Sequence, residues 1–294
     1  MEPLSLKTRR IYATVSFILL IIILPVAVLY SSGYRLEGLS LSPTGGVFIA
    51  TPFSDISISL NGEERKRSSI FSKSFLIDNL KAGTYVVQTS ASGYYPWSKN
   101  LIVEDGVVTD VSALAVSYPL IVQEIISADD TVPSDAEDTS FKIVSSEAYE
   151  TIAEEFLATT TVARITEDED DPKAEEQVAD ASRRGLELFV LDGDIRVRWS
   201  RSEDSLPSNF CIRPKACVSE MVIEDWGDTV TRAVFYGGGI VFKTKESGIF
   251  FTDIDVRPPR FIIPVYTKVD SDFRIIDRML IVKEGESLYE ITGF

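Results

Sequence analysis

Residues 11–30, IYATVSFILLIIILPVAVLY, contain no charged side chain. About 20 apolar residues at 1.5 Å each match a hydrocarbon core roughly 30 Å thick. Tyr12 and Tyr30 stand at the two ends, where amphipathic rings prefer the headgroup level. Lys7, Arg9 and Arg10 precede the run, which predicts a cytoplasmic tail over 1–10, a transmembrane helix over 11–30 and the rest of the chain outside. A cleaved secretory signal has a shorter apolar core, about 7–15 residues, ending in small side chains. Here AVLYSSG offers Leu29 and Tyr30, so an uncleaved single-pass anchor is the expectation. A cleaved signal and a buried core helix are the alternatives, and the first of these implies the same compartment.

Charge and residue usage narrow the function classes. The net charge is −16, with 29 Lys+Arg against 45 Asp+Glu, and an acidic chain of this kind repels phosphate backbones. Nucleic acid is therefore not an expected partner. Histidine is absent, which removes the commonest general base and the commonest metal ligand. The two cysteines, Cys211 and Cys217, stand six positions apart around Pro214. Outside the cytoplasm such a pair reads as a disulfide closing a small loop, with two unpaired thiols as the alternative. A metal site needs more ligands than two thiols. No cofactor is implied.

The chain divides by pattern. Residues 31–44 read as a juxtamembrane stretch. Residues 45–117 carry short runs rich in β-branched and aromatic residues, bounded by Gly, Pro or Asn-Gly, and predict a small sandwich of about six or seven strands. Its first hairpin is TPFSDISISLNG, residues 51–62, where Ile56, Ile58 and Leu60 alternate up to an Asn61-Gly62 turn. Residues 118–184 read as an acidic linker. From 127 to 184 there are 17 acidic and 5 basic residues, so this stretch holds most of the net charge. Within it Ala148, Ile152, Phe156 and Leu157 fall at helical spacing and predict a short amphipathic helix over 146–158. Residues 185–294 predict an antiparallel meander of about nine or ten strands, roughly two and a half propeller blades' worth. Three arrangements stay open for it: an open meander, one that recruits strands from 118–144, or pairing with a second copy through sheet edges.

Residues 45–117 resemble the PEGA domain, a short β-sandwich module of extracytoplasmic and surface proteins. The likeness rests on Gly46-Val47-Phe48-Ile49, Pro52, Ile58-Ser59-Leu60-Asn61-Gly62, the stretch Asn79 to Val87, Ser92-Gly93-Tyr94 and Trp97. The namesake Pro-Glu-Gly-Ala stands here as Pro52-Phe53-Ser54-Asp55, so only the proline matches. The resemblance implies a binding or structural role at a bacterial surface and brings no catalytic residues. The fold class expected is thus mainly β: a transmembrane helix, a small PEGA-like sandwich, then a propeller-like meander.

The chemistry-bearing candidates are few, and no enzyme activity is expected. Ser72-Lys73 and Ser98-Lys99 are neighbours on alternating strand faces and point apart, which argues against a Ser-Lys dyad. Gly237-Gly238-Gly239 lies between two strands and reads as a hairpin turn rather than a phosphate loop. EDEDD at 167–171 lacks the spacing and Gly turn of a calcium loop. Arg196 and Arg198 share a strand face beside Trp199, which reads as a solvated face before an anion strip. Three functions remain. The first is a membrane-anchored extracytoplasmic protein that makes structural or adhesive contacts with envelope polymer or surface proteins. The second is a carbohydrate-binding module with Tyr94, Tyr95 and Trp97 as a stacking platform, which requires exposed, coplanar rings. The third is a carboxylate-dependent hydrolase, which requires a deep pocket with two facing acids in the tail domain.

Overall fold

The computed structural model describes residues 6–31, 33–37, 40–52, 54–67, 73–129, 141–158, 182–183, 185–202, 205–224 and 228–294. Phe53, Ser72 and the EDEDD run lie outside the described residues. The apolar run forms one helix, Leu6–Ser31, with Pro25 inside it. None of its apolar window is buried against the β body. The juxtamembrane stretch is a β-hairpin, Tyr34–Glu37 with Ser40–Pro43.

The body that follows is mainly β. Two sheets pack face to face over residues 45–112. One has the order Ser74–Leu80, Gly45–Ala50, Val108–Ser112; the other Glu63–Arg67, Ser57–Leu60, Gly83–Ser90, Trp97–Val103. Strict alternation sorts the side chains. Val47, Ile49, Ile58, Leu60 and Leu101 are buried in the space between the sheets, while Phe48, Leu76 and Val108 face outward. The Asn61-Gly62 turn has positive φ at both residues, 52° and 81°, the geometry a two-residue hairpin needs.

Besides the two-stranded ladder Cys211–Arg213 with Ala216–Cys217, the described residues of the C-terminal half form three larger sheets. They are Ser182–Arg183, Leu186–Leu191, Asp194–Trp199, Glu220–Glu224; then Val230–Tyr236, Gly239–Thr244, Gly248–Thr252, Ile262–Tyr266; and finally Phe141–Val144, Ile121–Ser127, Ser287–Thr292, Met279–Glu284, Asp272–Ile276. Among the described residues they do not close into a ring, so the propeller-like expectation reduces to meander sheets. The reading of 118–184 as a linker also needs correction. Ile121–Ser127 pairs antiparallel with Ser287–Thr292, and Phe141–Val144 pairs parallel with Ile121–Ser127. Charge averaged over the long stretch concealed two short strands, which supply backbone partners that Ser287–Thr292 would otherwise lack. Recruitment is thus the arrangement adopted.

A helix occupies Ser146–Ala158. It buries Ile152 and Phe156 against Ile125, Ile276, Ile281 and Leu288, and the Arg274 guanidinium lies 5.5 Å from the Phe156 ring centre. Leu157 is exposed, so the buried stripe is narrower than the spacing predicts.

The central finding is a merged core. Val47, Ile49, Trp97 and Leu101 share one apolar cluster with Val241, Phe251, Phe273 and Leu280. Gly239–Thr244 and Gly248–Thr252 are buried on both faces. Val241, Ile249 and Phe251 point into this shared core, whereas Ile240, Phe242 and Phe250 point into a second one with Leu188, Val197 and Phe210. The runs GIVF and GIFF read as continuous apolar segments because both faces are covered. Among the described residues the two β modules therefore share one core.

Within Gly237-Gly238-Gly239 the glycines serve different needs. Gly237 and Gly238 adopt positive φ, 55° and 91°, in the hairpin turn. Gly239 does not; a Cβ there would sit 2.2 Å from the Thr252 carbonyl oxygen and 2.6 Å from the Phe251 ring. Gly239→Ala should therefore destabilise by about 1–3 kcal/mol through overpacking, seen as a lower Tm in circular dichroism melts. An unchanged Tm would show that the sheet absorbs the methyl group freely.

Candidate functional site

The strand Trp97–Val103 alternates buried and half-buried residues, so Trp97, Lys99, Leu101 and Val103 all point inward. A lysine in such a row is an anomaly, because an ammonium group removed from water must find ionic and hydrogen-bonding partners. The segment 253–261, DIDVRPPRF, supplies them. It connects Gly248–Thr252 to Ile262–Tyr266 and reaches across to the inward row.

Lys99 is fully buried and lies 2.9 Å from a carboxylate oxygen of Asp253. It also donates to the Asp255 carbonyl oxygen at 2.6 Å. The Trp97 indole N–H donates to Asp253 Oδ2 at 3.2 Å. Asp255 in turn accepts from the Arg257 backbone N–H at 3.0 Å and from Arg257 Nε at 2.8 Å. Both terminal nitrogens of Arg257 donate to the Asp110 carbonyl oxygen at 3.2 Å. The Asn100 N–H donates to the Pro258 carbonyl. Burial pushes the Asp253 carboxyl up to about 6, outweighing the opposing pull of Lys99. The alternating pattern would have flagged Lys99 at an inward position; its partner, 154 residues away, has no local signal.

This arrangement locks two modules together. The two tail carboxylates nearest each other in this segment, Asp253 and Asp255, are both buried and both paired with cations. They do not form the open, facing pair that glycoside hydrolysis requires.

The aromatic platform expected at Tyr94, Tyr95 and Trp97 is not formed, and that reading is corrected. Trp97 is 0 % exposed, while Tyr94 and Tyr95 are half-buried. Tyr95 packs edge-on against Tyr118, with centroids 4.8 Å apart and planes at 73°. Its backbone N–H donates to the Val116 carbonyl at 2.8 Å. The rings are consumed by the core and its rim because a domain this small needs its large side chains inside.

Cys211 and Cys217 are joined by a disulfide across the short ladder Cys211–Arg213 with Ala216–Cys217. Arg196 and Arg198 both engage Glu220, at 3.3 and 3.0 Å, so the strip they share already holds a carboxylate. Ser98 is half-buried on the face opposite Lys99. Gly237 to Gly239 lie at a hairpin between Val230–Tyr236 and Gly239–Thr244.

The other place where elements converge is the outer end of the helix. Arg35 Nη1 donates to the Tyr30 carbonyl at 2.8 Å and to the Tyr34 carbonyl at 3.0 Å. Its guanidinium lies 3.6 Å from the Tyr30 ring centre. A cation and an aromatic ring thus finish a helix whose last carbonyls have no helical partner. Beside them opens a cavity of about 260 Å³ whose walls include Tyr30, Arg35, Gly46, Leu76, Asp78 and Val108.

Fold and sites together define a mainly β protein carrying an N-terminal helix long and apolar enough to cross a membrane. No protein-family model matches the chain, and no curated protein matches it. Among solved structures it is similar to one from Bacteroides fragilis described as membrane-associated and of unknown function. The two share 13 % identity over 84 % of this chain and 94 % of the other, with a TM-score of 0.20. The alignment is long and the superposition poor.

Proposed function

We propose that this is a single-pass membrane protein whose β body is a rigid structural or adhesive element outside the cytoplasm. It would contact envelope polymer or other surface proteins, and residues 45–117 would be its PEGA-like module. The carrying observation is the merged core: modules that share one core among the described residues, at the end of an unburied apolar helix, transmit position and force rather than reorganising around a substrate. Lys7, Arg9 and Arg10 on one side of the helix and the Cys211–Cys217 disulfide on the other support the outward topology. The end strands of the C-terminal sheets offer backbone for pairing with a second copy or with another protein.

The test is a fusion of alkaline phosphatase after Phe294, expressed in a bacterium, with the detergent-solubilised full chain then sedimented with insoluble cell-wall polymer. Activity of the fusion is expected, because that enzyme needs disulfides that form outside the cytoplasm. An inactive but stable fusion overturns the topology. If neither the polymer nor a washed envelope fraction retains the full chain, the adhesive role fails.

A further inference from the structure

The helix ends at Ser31 and the first strand begins at Tyr34. The three Cα–Cα steps from Ser31 to Tyr34 span at most about 11 Å. The exit is also stapled. Gly33 O accepts from the Thr44 backbone N–H at 2.9 Å and from its hydroxyl at 2.6 Å, and Thr44 O accepts from the Gly106 N–H at 3.1 Å. The body therefore cannot drift away from the membrane that holds the helix. A bilayer adds roughly 5–8 Å of headgroup layer beyond each side of its hydrocarbon core. Tyr30 closes the apolar run, so residues that share a cavity with Tyr30 lie at headgroup depth.

That sheet face exposes Phe48, Leu76 and Val108 beside two carboxylates, Asp78 and Asp110, the latter the register partner of Phe48. Phe48 and Leu76 are register partners, and Val108 pairs with Gly46, two residues before Phe48. Their exposures are 38 %, 46 % and 51 %. Leu76 and Val108 also wall the cavity with Tyr30. Among the described residues of that wall, Arg35 is the only cation. A sheet face exposing these apolar side chains and continuous with a membrane helix, with an arginine and a tyrosine at the seam, matches the composition of a membrane interface. Asp78 on the same face suits a layer containing amine headgroups as well as phosphates.

Resting on the anchored reading above, we propose that the outer face of the sheet Ser74–Leu80, Gly45–Ala50, Val108–Ser112 lies in the headgroup layer of the bilayer that its own helix spans. A phospholipid headgroup occupies the cavity, its phosphate toward Arg35. The protein is then a body lying on the membrane, with its opposite side presented outward.

The experiment uses the full chain in nanodiscs of phosphatidylethanolamine and phosphatidylglycerol. A nitroxide is placed in turn at Leu20→Cys, Leu76→Cys, Val108→Cys and Lys245→Cys; the native cysteines are paired and do not react. Collision with oxygen and with a water-soluble nickel chelate reads the depth of each label. Labels at positions 76 and 108 should be several-fold less accessible to the nickel chelate than the one at 245, and the label at 20 should be in hydrocarbon. Labels at 76 and 108 as accessible as that at 245, with position 20 in lipid, overturn the proposal and leave the anchor intact. A water-accessible label at 20 overturns the anchored reading itself. Two sites on different strands keep the test decisive if one variant fails to fold.

Discussion

Lys99→Met should lower the stability of the β body by about 3–5 kcal/mol, the usual cost of stripping one partner from a buried ion pair. The variant leaves Asp253, 4 % exposed, with the Trp97 indole and no cation. The double variant Lys99→Met/Asp253→Leu should recover most of the loss, because an apolar pair of similar volume avoids burying charge at all. Thermal melts of the detergent-solubilised chain, followed by circular dichroism, distinguish the cases. A single variant as stable as wild type would mean that water reaches the pair.

The same pair predicts a pH dependence with a definite sign. The Asp253 carboxyl is raised from 3.8 to about 6 in the folded protein. Between those values the folded chain holds a proton that the unfolded chain has released. The stability that this group contributes is therefore complete below about pH 4 and is lost as pH rises through about 6. Relative to the double variant, which lacks this titration, wild type should weaken over that window. Without Lys99 the carboxyl rises further. The penalty of the single variant should then shrink by up to about 1.4 kcal/mol per unit as pH falls toward about 6. A pH-independent penalty would place the cost in packing rather than in charge.

Trp97→Ala should cost about 3–5 kcal/mol, the range for deleting a large ring from a closed core. Trp97 is fully buried where the strand Trp97–Val103 meets the segment 253–261, and its loss also removes a donor from Asp253. Trp97→Phe keeps an aromatic ring but removes the N–H together with part of the indole volume, so a smaller loss of about 1–3 kcal/mol is expected. Denaturant titration of the two variants ranks the two losses. A Trp97→Ala protein that melts like wild type would contradict the buried placement and reopen the stacking platform.

What could be read in advance follows the range of the forces involved. The uncharged run 11–30 lies inside the observed helix Leu6–Ser31, and the spacing of Ile152 and Phe156 marked the helix Ser146–Ala158. The Asn61-Gly62 hairpin and the proximity of Cys211 to Cys217 were equally legible, since each depends on neighbours a few residues apart. Ile121–Ser127 was legible only as one of three open arrangements, because its partner strand lies at the far end of the chain. The fate of Trp97 was not legible. An aromatic residue near a Gly-Tyr turn reads equally as platform or as core until the segment 253–261 is seen to cover it.

The sequence by itself determined an N-terminal helix long and apolar enough to span a membrane, the mainly β pattern and the turns, since length, period and local backbone preference act over a few residues. Only the tertiary structure decided that the modules share one core, that Lys99 answers Asp253, and that Phe48, Leu76 and Val108 are left bare beside the helix exit. Burial and ion pairing take their free energy from whatever covers a residue, and here Trp97 and Lys99 are met by a connecting segment more than a hundred positions away.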